Sequence, residues 1–266
     1  MPITRFTQQG FVLDQLNTLA GLFQISTGAP AVTAVEQPVG LAYDKRGVVA
    51  IGNHARQATA AARATLSARV NLLTKTEQFD NSDWVTSNTT LVPNAATAPD
   101  GTMTAEKLVN TATGSGNISK FMYLPAGVNS FSVHAEQAGA VDFGLASAGG
   151  IGAIFNLATG VIVSSLSGTT ATIESLPSGR YRCEISFVVA VAGNSTLYIS
   201  RDTGPFGAGE GVFIWGAQHT LGSKSRYQRV NTDTDYDTAG FSHYLKFNGV
   251  DTGLAAPTGG SGGGSS

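Results

Sequence analysis

The chain is poor in charge and in cysteine. Only 13% of its 266 residues are Asp, Glu, Lys or Arg, about half the share in an average domain, and the net charge is −2. A surface that binds nucleic acid needs a basic patch to neutralise phosphates, so nucleic acid is not predicted as a partner. Cys183 is the single cysteine, which excludes an internal disulfide and a cysteine metal site. Its place in an alternating run predicts a buried thiol.

Long apolar runs and catalytic motifs are also missing. No run approaches the ~20 residues that cross a bilayer, and the N-terminus lacks a basic region followed by an apolar core, so neither a membrane partner nor secretion is predicted. The four histidines lack metal-ligand spacing, and no nucleophile elbow, phosphate loop or β-helix repeat occurs. Asp142 and Glu184 are the best pair of carboxylates for a glycosidase. Because both alternate with apolar neighbours, we expect them on solvent faces, and an enzyme is not predicted.

The residues that are abundant favour β structure. Thr, Ser, Asn and Gln supply the polarity, and 33 glycines punctuate the chain. Alternating runs at residues 131–135, 141–145 and 181–187 predict strands, and similar runs follow at 196–199 and 211–215. Seven or more short strands separated by turns predict an all-β fold, a β-sandwich or jelly roll. Its neutral polar surface suits contact with neutral sugars or with other subunits.

Composition divides the chain into three regions. Residues 1–70 are irregular and hold too few large apolar residues for a core, which predicts an anchoring arm that packs on the sandwich or on another subunit. Apolar residues at helical spacing predict a helix within 13–23, and 57–69 fits either a solvated helix or an extended arm. Residues 71–230 form the predicted sandwich. Residues 231–266 are a C-terminal extension with a Gly/Ser tail, either native or engineered.

Five segments of the central region resemble a family of phage proteins. They are Asn71-Leu72-Leu73-Thr74, Glu77-Gln78-Phe79-Asp80, Ala98-Pro99-Asp100-Gly101-Thr102, Gly179-Arg180-Tyr181-Arg182-Cys183 and Ile214-Trp215-Gly216-Ala217-Gln218. Together they resemble the carbohydrate-binding-module-like β-sandwich of tail and other virion proteins of tailed bacteriophages. Residues 33–63 are similar to the leader of these modules. Residues 243–251 are similar to the opening strand of the laminin-G or concanavalin-like domain that often follows them.

The resemblance implies two functions. The first is a non-enzymatic structural protein of a phage particle, a decoration or fibre of the capsid, collar or tail that the N-terminal arm attaches to other virion proteins. The virion is then its location, and by analogy it is a homo-oligomer, a trimer. The alternative is an adhesin that binds polysaccharide on the host surface. Fold alone does not choose between them.

Aromatic side chains are the candidates for a glycan site. The apolar face of a Trp or Tyr ring covers the C–H groups of a sugar, and the candidates are Trp84, Tyr123 and Tyr198. Trp215 lies in an apolar strand and is predicted to pack inside. Trp84 follows a polar loop, which favours exposure, although the pair of Phe79 and Trp84 equally fits a plug at one end of the sandwich.

Related carbohydrate-binding modules often contain a structural calcium ion, and this is the one cofactor that the resemblance implies. Its candidate ligands are Glu77, Asp80 and Asp83, although no ligand loop of defined spacing surrounds them. The acidic run 233–237 lacks the glycine and terminal glutamate of a calcium loop and is interpreted as a solvated linker. No other cofactor or metal is predicted.

Overall fold

The computed structural model describes residues 5–7, 10–12, 22–42, 55–111, 116–200, 210–223 and 225–247. These ranges hold two short 3-10 helices, Ala60–Ala62 and Pro177–Gly179. Their strands are β1 Arg5–Thr7, β2 Gly10–Val12, β3 Leu22–Phe23, β4 Pro38–Val39, β5 Leu41–Ala42, β6 Ala55–Arg56, β7 Ala64–Ser67, β8 Val85–Ser87, β9 Thr89–Ala96, β10 Ala105–Asn110, β11 Asn117–Leu124, β12 Gly127–Ala138, β13 Asp142–Ser147, β14 Ile151–Asn156, β15 Val161–Ser165, β16 Thr169–Leu176, β17 Arg180–Val189, β18 Gly193–Ser200, β19 Gly211–Leu221, β20 Val230–Thr232, β21 Asp235–Tyr236 and β22 Tyr244–Lys246. No helix in the described ranges is long and apolar enough to cross a membrane.

The larger of two compact units spans residues 70–237 and is a β-sandwich. Sheet I has the strand order β16-β17-β12-β19-β10-β9, and sheet II has the order β15-β14-β13-β18-β11-β8. Neighbouring strands are antiparallel throughout both sheets. The predicted all-β sandwich is confirmed.

The core lies between the two sheets because strand residues alternate between faces. Phe131 and Val133 on β12 and Cys183 on β17 point inward from sheet I, and Phe143 and Phe155 point inward from sheet II. The predicted burial of Cys183 is confirmed, and that burial raises the pKa of its thiol. The alternating runs of the sequence thus place one side of each sheet in the core and leave the other side outward.

Two side chains from the segments that carry the resemblance, Asn71 and Gln218, form hydrogen bonds between distant parts of the chain at sheet I. Asn71 is fully buried: its Nδ2 donates to the carbonyls of Ala217 (3.0 Å) and Gln228 (2.9 Å), and its Oδ1 accepts from the amides of Leu73 (3.1 Å) and His219 (3.0 Å). Gln218 accepts from the Gln228 amide at 2.8 Å. These side chains therefore have a structural role.

The smaller unit comprises residues 1–69 and 238–266. Strand β7 pairs with β4 and with β22, so the strand that resembles the opening of a lectin-like domain completes a sheet of the N-terminal region. Its buried core combines both ends of the chain, with Leu22, Val32, Val39, Ala42, Ala64, Leu66 and Leu245. Residues 1–70 were predicted to hold too few large apolar residues for a core, yet they supply six of these seven buried residues, and the C-terminal extension adds Leu245.

The predicted helical segments have other structures where the chain is described. Residues 13–21 of the predicted helix lie outside the described residues, and Leu22 and Phe23 form strand β3. Segment 57–69 is neither a helix nor a plain arm: one 3-10 turn at Ala60–Ala62 precedes β7. Its sequence was compatible with a helix or with an extended arm, and the pairing of β7 on both edges favours the extended conformation over the helix propensity of its alanines. The Gly/Ser tail lies outside the described residues.

Candidate ligand-binding face of sheet II

The outward face of sheet II exposes aromatic rings. On β11, Ile118 and Leu124 point into the core, so the alternate residues Phe121 and Tyr123 point outward. The Phe121 side chain is 69% exposed and that of Tyr123 is 59% exposed. Two large rings left in water on one strand form an apolar strip that nothing in the described ranges covers.

The neighbouring strand extends this strip with Tyr198. The register of β11 with β18 sets Phe121 opposite Thr196, Tyr123 opposite Asn194 and Ser119 opposite Tyr198. Phe121 and Tyr198 are therefore diagonal neighbours, a separation that aromatic side chains bridge. Tyr198 is half-buried. The predicted candidates Tyr123 and Tyr198 thus lie on one surface, and Phe121 joins them.

Small and polar residues surround the rings. Beyond Tyr198, the register continues to Ala146 on β13 and then to Gly152 on β14, so no bulky side chain stands there. The hydroxyl of Thr196 and the amide of Asn194 lie beside the rings on β18. We name the surface of Phe121, Tyr123, Asn194, Thr196, Tyr198 and Ala146 the aromatic face.

The aromatic face is almost uncharged. Of the charged residues in the six strands of sheet II, Lys120 points inward, where its Nζ contacts Asp83 Oδ2 at 3.1 Å and Thr74 Oγ1 at 2.9 Å. Asp142, at the start of β13, is the single charged residue of the described strands on the outward side, and Asn156 Nδ2 donates to it at 3.4 Å. The surface therefore offers rings, hydroxyls and amides without a strong field.

Trp84 does not belong to the aromatic face. It is 4% exposed, its ring lies 5.1 Å from that of Phe79, and its indole nitrogen donates to the Lys75 carbonyl at 3.0 Å. Exposure of Trp84 is therefore contradicted, and its packing with Phe79, the other interpretation, is what the structure shows. The polar loop before it ends in a turn, with the Trp84 amide bonded to Asn81, and this turn directs the indole inward.

Sequence reasoning missed Phe121. The inward residues of its strand are Ile118, Lys120, Met122 and Leu124. Because Lys120 interrupts the apolar alternation, the sequence does not show which residues of the strand point outward. The pairing of Lys120 with Asp83 and Thr74 explains how an inward lysine is tolerated. Recognising that pairing would have marked Phe121 as exposed.

The candidate calcium ligands have separate partners. Glu77 accepts from the Tyr227 hydroxyl at 2.9 Å, and burial raises the pKa of its carboxyl. Asp83 pairs with Lys120, whose hydrogen bond lowers the pKa of Asp83, and Asp80 lies beside Glu106. No group of three acidic, histidine or cysteine side chains in the described residues is placed to hold a metal ion. The three candidates do not fit a common calcium site.

The carboxylates considered for hydrolysis are far from a catalytic arrangement. Asp142 lies on the outward side of sheet II, whereas Glu184 lies on the outward side of sheet I, because Phe143 and Cys183 beside them point into the core between the sheets. Glu184 was expected in solvent but is buried, since the chain at Ser225 returns over this face and accepts from Arg182 at 2.9 Å. Acid and base on opposite outer faces cannot act on one glycosidic bond.

Trp215 is buried, as predicted, but it packs in a separate cluster with Ala98, Ala105 and Tyr227 instead of in the core between the sheets. Its ring lies 4.6 Å from that of Tyr227 and 5.2 Å from that of His134, and its indole nitrogen donates to Thr104 at 3.0 Å. The backbone of Gly216 is left-handed (φ 62°), and a Cβ there would approach the Tyr227 ring to 3.2 Å. Trp215 and Gly216 therefore form part of a packed aromatic cluster and not of a ligand site.

Comparison with known proteins gave matches among solved structures. No protein-family model and no curated protein matches the chain. The carbohydrate-binding module TmCBM61, solved with β-1,4-galactotriose, aligns with a TM-score of 0.39 and 19% identity, over 58% of this chain and 100% of its own. The enzymatically active domain of tailspike protein 4 of bacteriophage CBA120 aligns with a TM-score of 0.36 and 15% identity, over 58% of this chain and 22% of its own. The CBM22-1–GH10 modules of Clostridium thermocellum endo-1,4-β-D-xylanase 10B, complexed with xylohexaose, align with a TM-score of 0.34 and 18% identity, over 59% of this chain and 28% of their own.

Proposed function

We propose that the sandwich binds a neutral glycan of a host-surface polysaccharide through the aromatic face. The observation that carries this proposal is the exposure of Phe121 and Tyr123 side by side on β11. Exposed rings of this size are costly in water, and a contiguous apolar patch on a protein surface marks a binding site. A pyranose ring supplies the matching apolar face, and its hydroxyls match Asn194 and Thr196.

The charge of the face selects the class of glycan. Acidic sugars need a cation to balance their carboxylate or sulfate in a binding site. The outward side of the described strands of sheet II has no lysine or arginine, and Asp142 would repel an acidic sugar. The proposed ligand is therefore neutral, and its binding is insensitive to ionic strength because screening acts on charge pairs.

The proposed activity is binding without hydrolysis. A glycosidase places two carboxylates on either side of one bond, whereas the outward side of the described strands of sheet II has one carboxylate, Asp142. Stacking and hydrogen bonds hold the sugar but leave its glycosidic bond unchanged.

A glycan array of neutral and acidic polysaccharide fragments tests the proposal. We expect the full chain to retain neutral fragments, and we expect Tyr123→Ala to weaken binding of the best fragment about tenfold, since a stacked ring contributes on the order of 1 kcal/mol beyond area burial. Titration calorimetry measures the change. Met103→Ala is the matched control, because Met103 is as exposed as Tyr123 but lies outside sheet II, and it should leave affinity unchanged.

Two results would contradict glycan binding by this face. One is retention of acidic fragments alone, which the uncharged surface does not explain. The other is equal affinity of the wild type and Tyr123→Ala for a retained fragment, which would place the sugar elsewhere.

We also propose that the protein is a structural component of a tailed-phage particle, in which it contacts other virion proteins and displays the sandwich to the host. The division into two compact units supports this role, since one unit can attach while the other binds. Mass spectrometry of purified particles from the phage or prophage that encodes the chain is the test. We expect the chain at fixed stoichiometry in intact particles, and its restriction to the unassembled lysate fraction would refute the proposal.

A further inference from the structure

Strand β15 is an edge of sheet II with unusual side chains. It pairs with β14 on one side and ends the strand order on the other. Its five residues are all exposed, and Val161, Ile162, Val163 and the following Leu166 have between 40% and 55% of their surface in solvent. In the part of the chain that the structure describes, no strand pairs with this outer edge of β15, so it presents backbone groups and apolar side chains to any strand that approaches.

The other three edges of the sandwich are protected against such pairing. Strand β8 is only three residues long. Strand β9 contains Pro93, a left-handed Asn94 (φ 52°) and a register shift against β10. Strand β16 carries Glu174 on its exposed side. Strand β15 has neither proline nor charge, and its single irregularity is a register shift against β14.

The backbone groups and the lack of charge at this edge favour a second copy of β15 as its partner. Free backbone donors and acceptors at a sheet edge are matched by another strand. Residues 143–173, which include β14, β15 and all of β13 except its first residue Asp142, contain no Asp, Glu, Lys or Arg. Two copies of β15 therefore meet without like charges across the contact, and apolar residues of one copy cover those of the other. A strand paired antiparallel with itself is also self-complementary, as an isologous contact requires.

We propose that β15 pairs antiparallel with β15 of a second copy of this chain, so that sheet II continues across a dimer. This pairing would be the contact that joins the subunits of the predicted homo-oligomer. An isologous contact closes after two copies, so this edge builds a dimer and not the trimer that analogy implied. The two-fold axis of an antiparallel pair runs perpendicular to the sheet, which leaves both aromatic faces on the same side. If they bind glycan as proposed above, the dimer is bivalent and gains avidity for a polysaccharide.

Sedimentation equilibrium of the full chain tests the contact directly. We expect the wild type to have the mass of a dimer. If the pairing is centred on Val163, the middle residue of β15, two lysines meet at the axis in Val163→Lys, and this variant should raise the dimer dissociation constant at least tenfold. Val191→Lys is the matched control: it is the same change at an exposed valine between β17 and β18, away from this edge. Far-ultraviolet circular dichroism establishes that both variants are folded.

The outcomes separate this inference from glycan binding. A monomeric wild type, a trimer, or a dimer that persists in Val163→Lys would overturn the β15 contact, whatever the chain binds. Val163→Lys should retain the wild-type affinity for a single short glycan, since the aromatic face lies on β11, β18 and β13 and not on β15. It should bind an immobilised polysaccharide more weakly than Val191→Lys because avidity is lost.

Discussion

Asn71→Ala is expected to lower the free energy of unfolding of the sandwich by about 3 kcal/mol or more. The substitution leaves the carbonyls of Ala217 and Gln228 and the amides of Leu73 and His219 without their side-chain partner in a fully buried site. Each buried polar group that loses its partner retains a desolvation cost of about 1–3 kcal/mol, although relaxation and water entry recover part of the sum. Urea unfolding of the full chain, followed by tryptophan fluorescence, measures the loss.

Asn194→Ala is the matched control for this experiment. Asn194 is exposed on β18, so its removal leaves no buried group without a partner and should change the unfolding midpoint little. Similar midpoints for Asn71→Ala and the wild type would show that the hydrogen bonds of Asn71 do not hold the sandwich closed.

Glu106 is expected to make the sandwich less stable as the pH rises from about 5 to 7. Its carboxyl is buried on β10, where Oε1 accepts from the Phe79 amide at 2.8 Å. Burial and the neighbouring Asp80 raise the pKa of Glu106 to about 7. The folded protein therefore keeps a proton that the unfolded chain, with an ordinary pKa near 4.5, releases. Between these two values stability falls with rising pH, by on the order of 2 kcal/mol in total.

Glu106→Gln isolates this contribution. Glutamine keeps the acceptor for the Phe79 amide and adds a donor without a titrating proton, so the variant should be more stable than the wild type at pH 8 and nearly equal at pH 4.5. Burial lowers the pKa of both His134 and His219 to about 4, and these neutral histidines make the fold less stable as the pH falls below 6.5 in either protein. The difference between the two stability profiles therefore reports Glu106 alone.

Thermal midpoints from pH 4.5 to 8 provide both profiles, with Glu174→Gln at an exposed position of β16 as the control. A constant difference between wild type and Glu106→Gln across this range would show that the buried carboxyl does not take up a proton on folding. A difference that grows with pH would establish that it does.

The sequence predicted the sandwich because its strand periods are simple. Over residues 131–135 of β12 and 181–187 of β17, inward residues are apolar or aromatic and outward residues are polar, so alternation identifies both strands and the core. Outward polarity proved a weaker guide to exposure. Glu184 and Gln218 alternate like solvent residues, yet both are buried because the chain returns over sheet I at Ser225.

The candidate site was only partly predictable for a related reason. Tyr123 and Tyr198 could be named from residue type, but whether a ring is exposed depends on tertiary contacts of residues distant in sequence. Trp84 follows a polar loop and is buried by its contact with Phe79, whereas Phe121 follows an inward lysine and is exposed. Long-range strand register, which brings Tyr198 beside Phe121, has no local signature in the sequence.

Amide chemical-shift mapping of the full chain, titrated with the neutral oligosaccharide that a glycan array retains best, tests glycan binding by the aromatic face most directly. The proposal predicts that the largest shifts fall on β11, β18 and the adjoining part of β13, around Phe121, Tyr123 and Tyr198. Shifts confined to sheet I, to the loops at either end or to the smaller unit would contradict it.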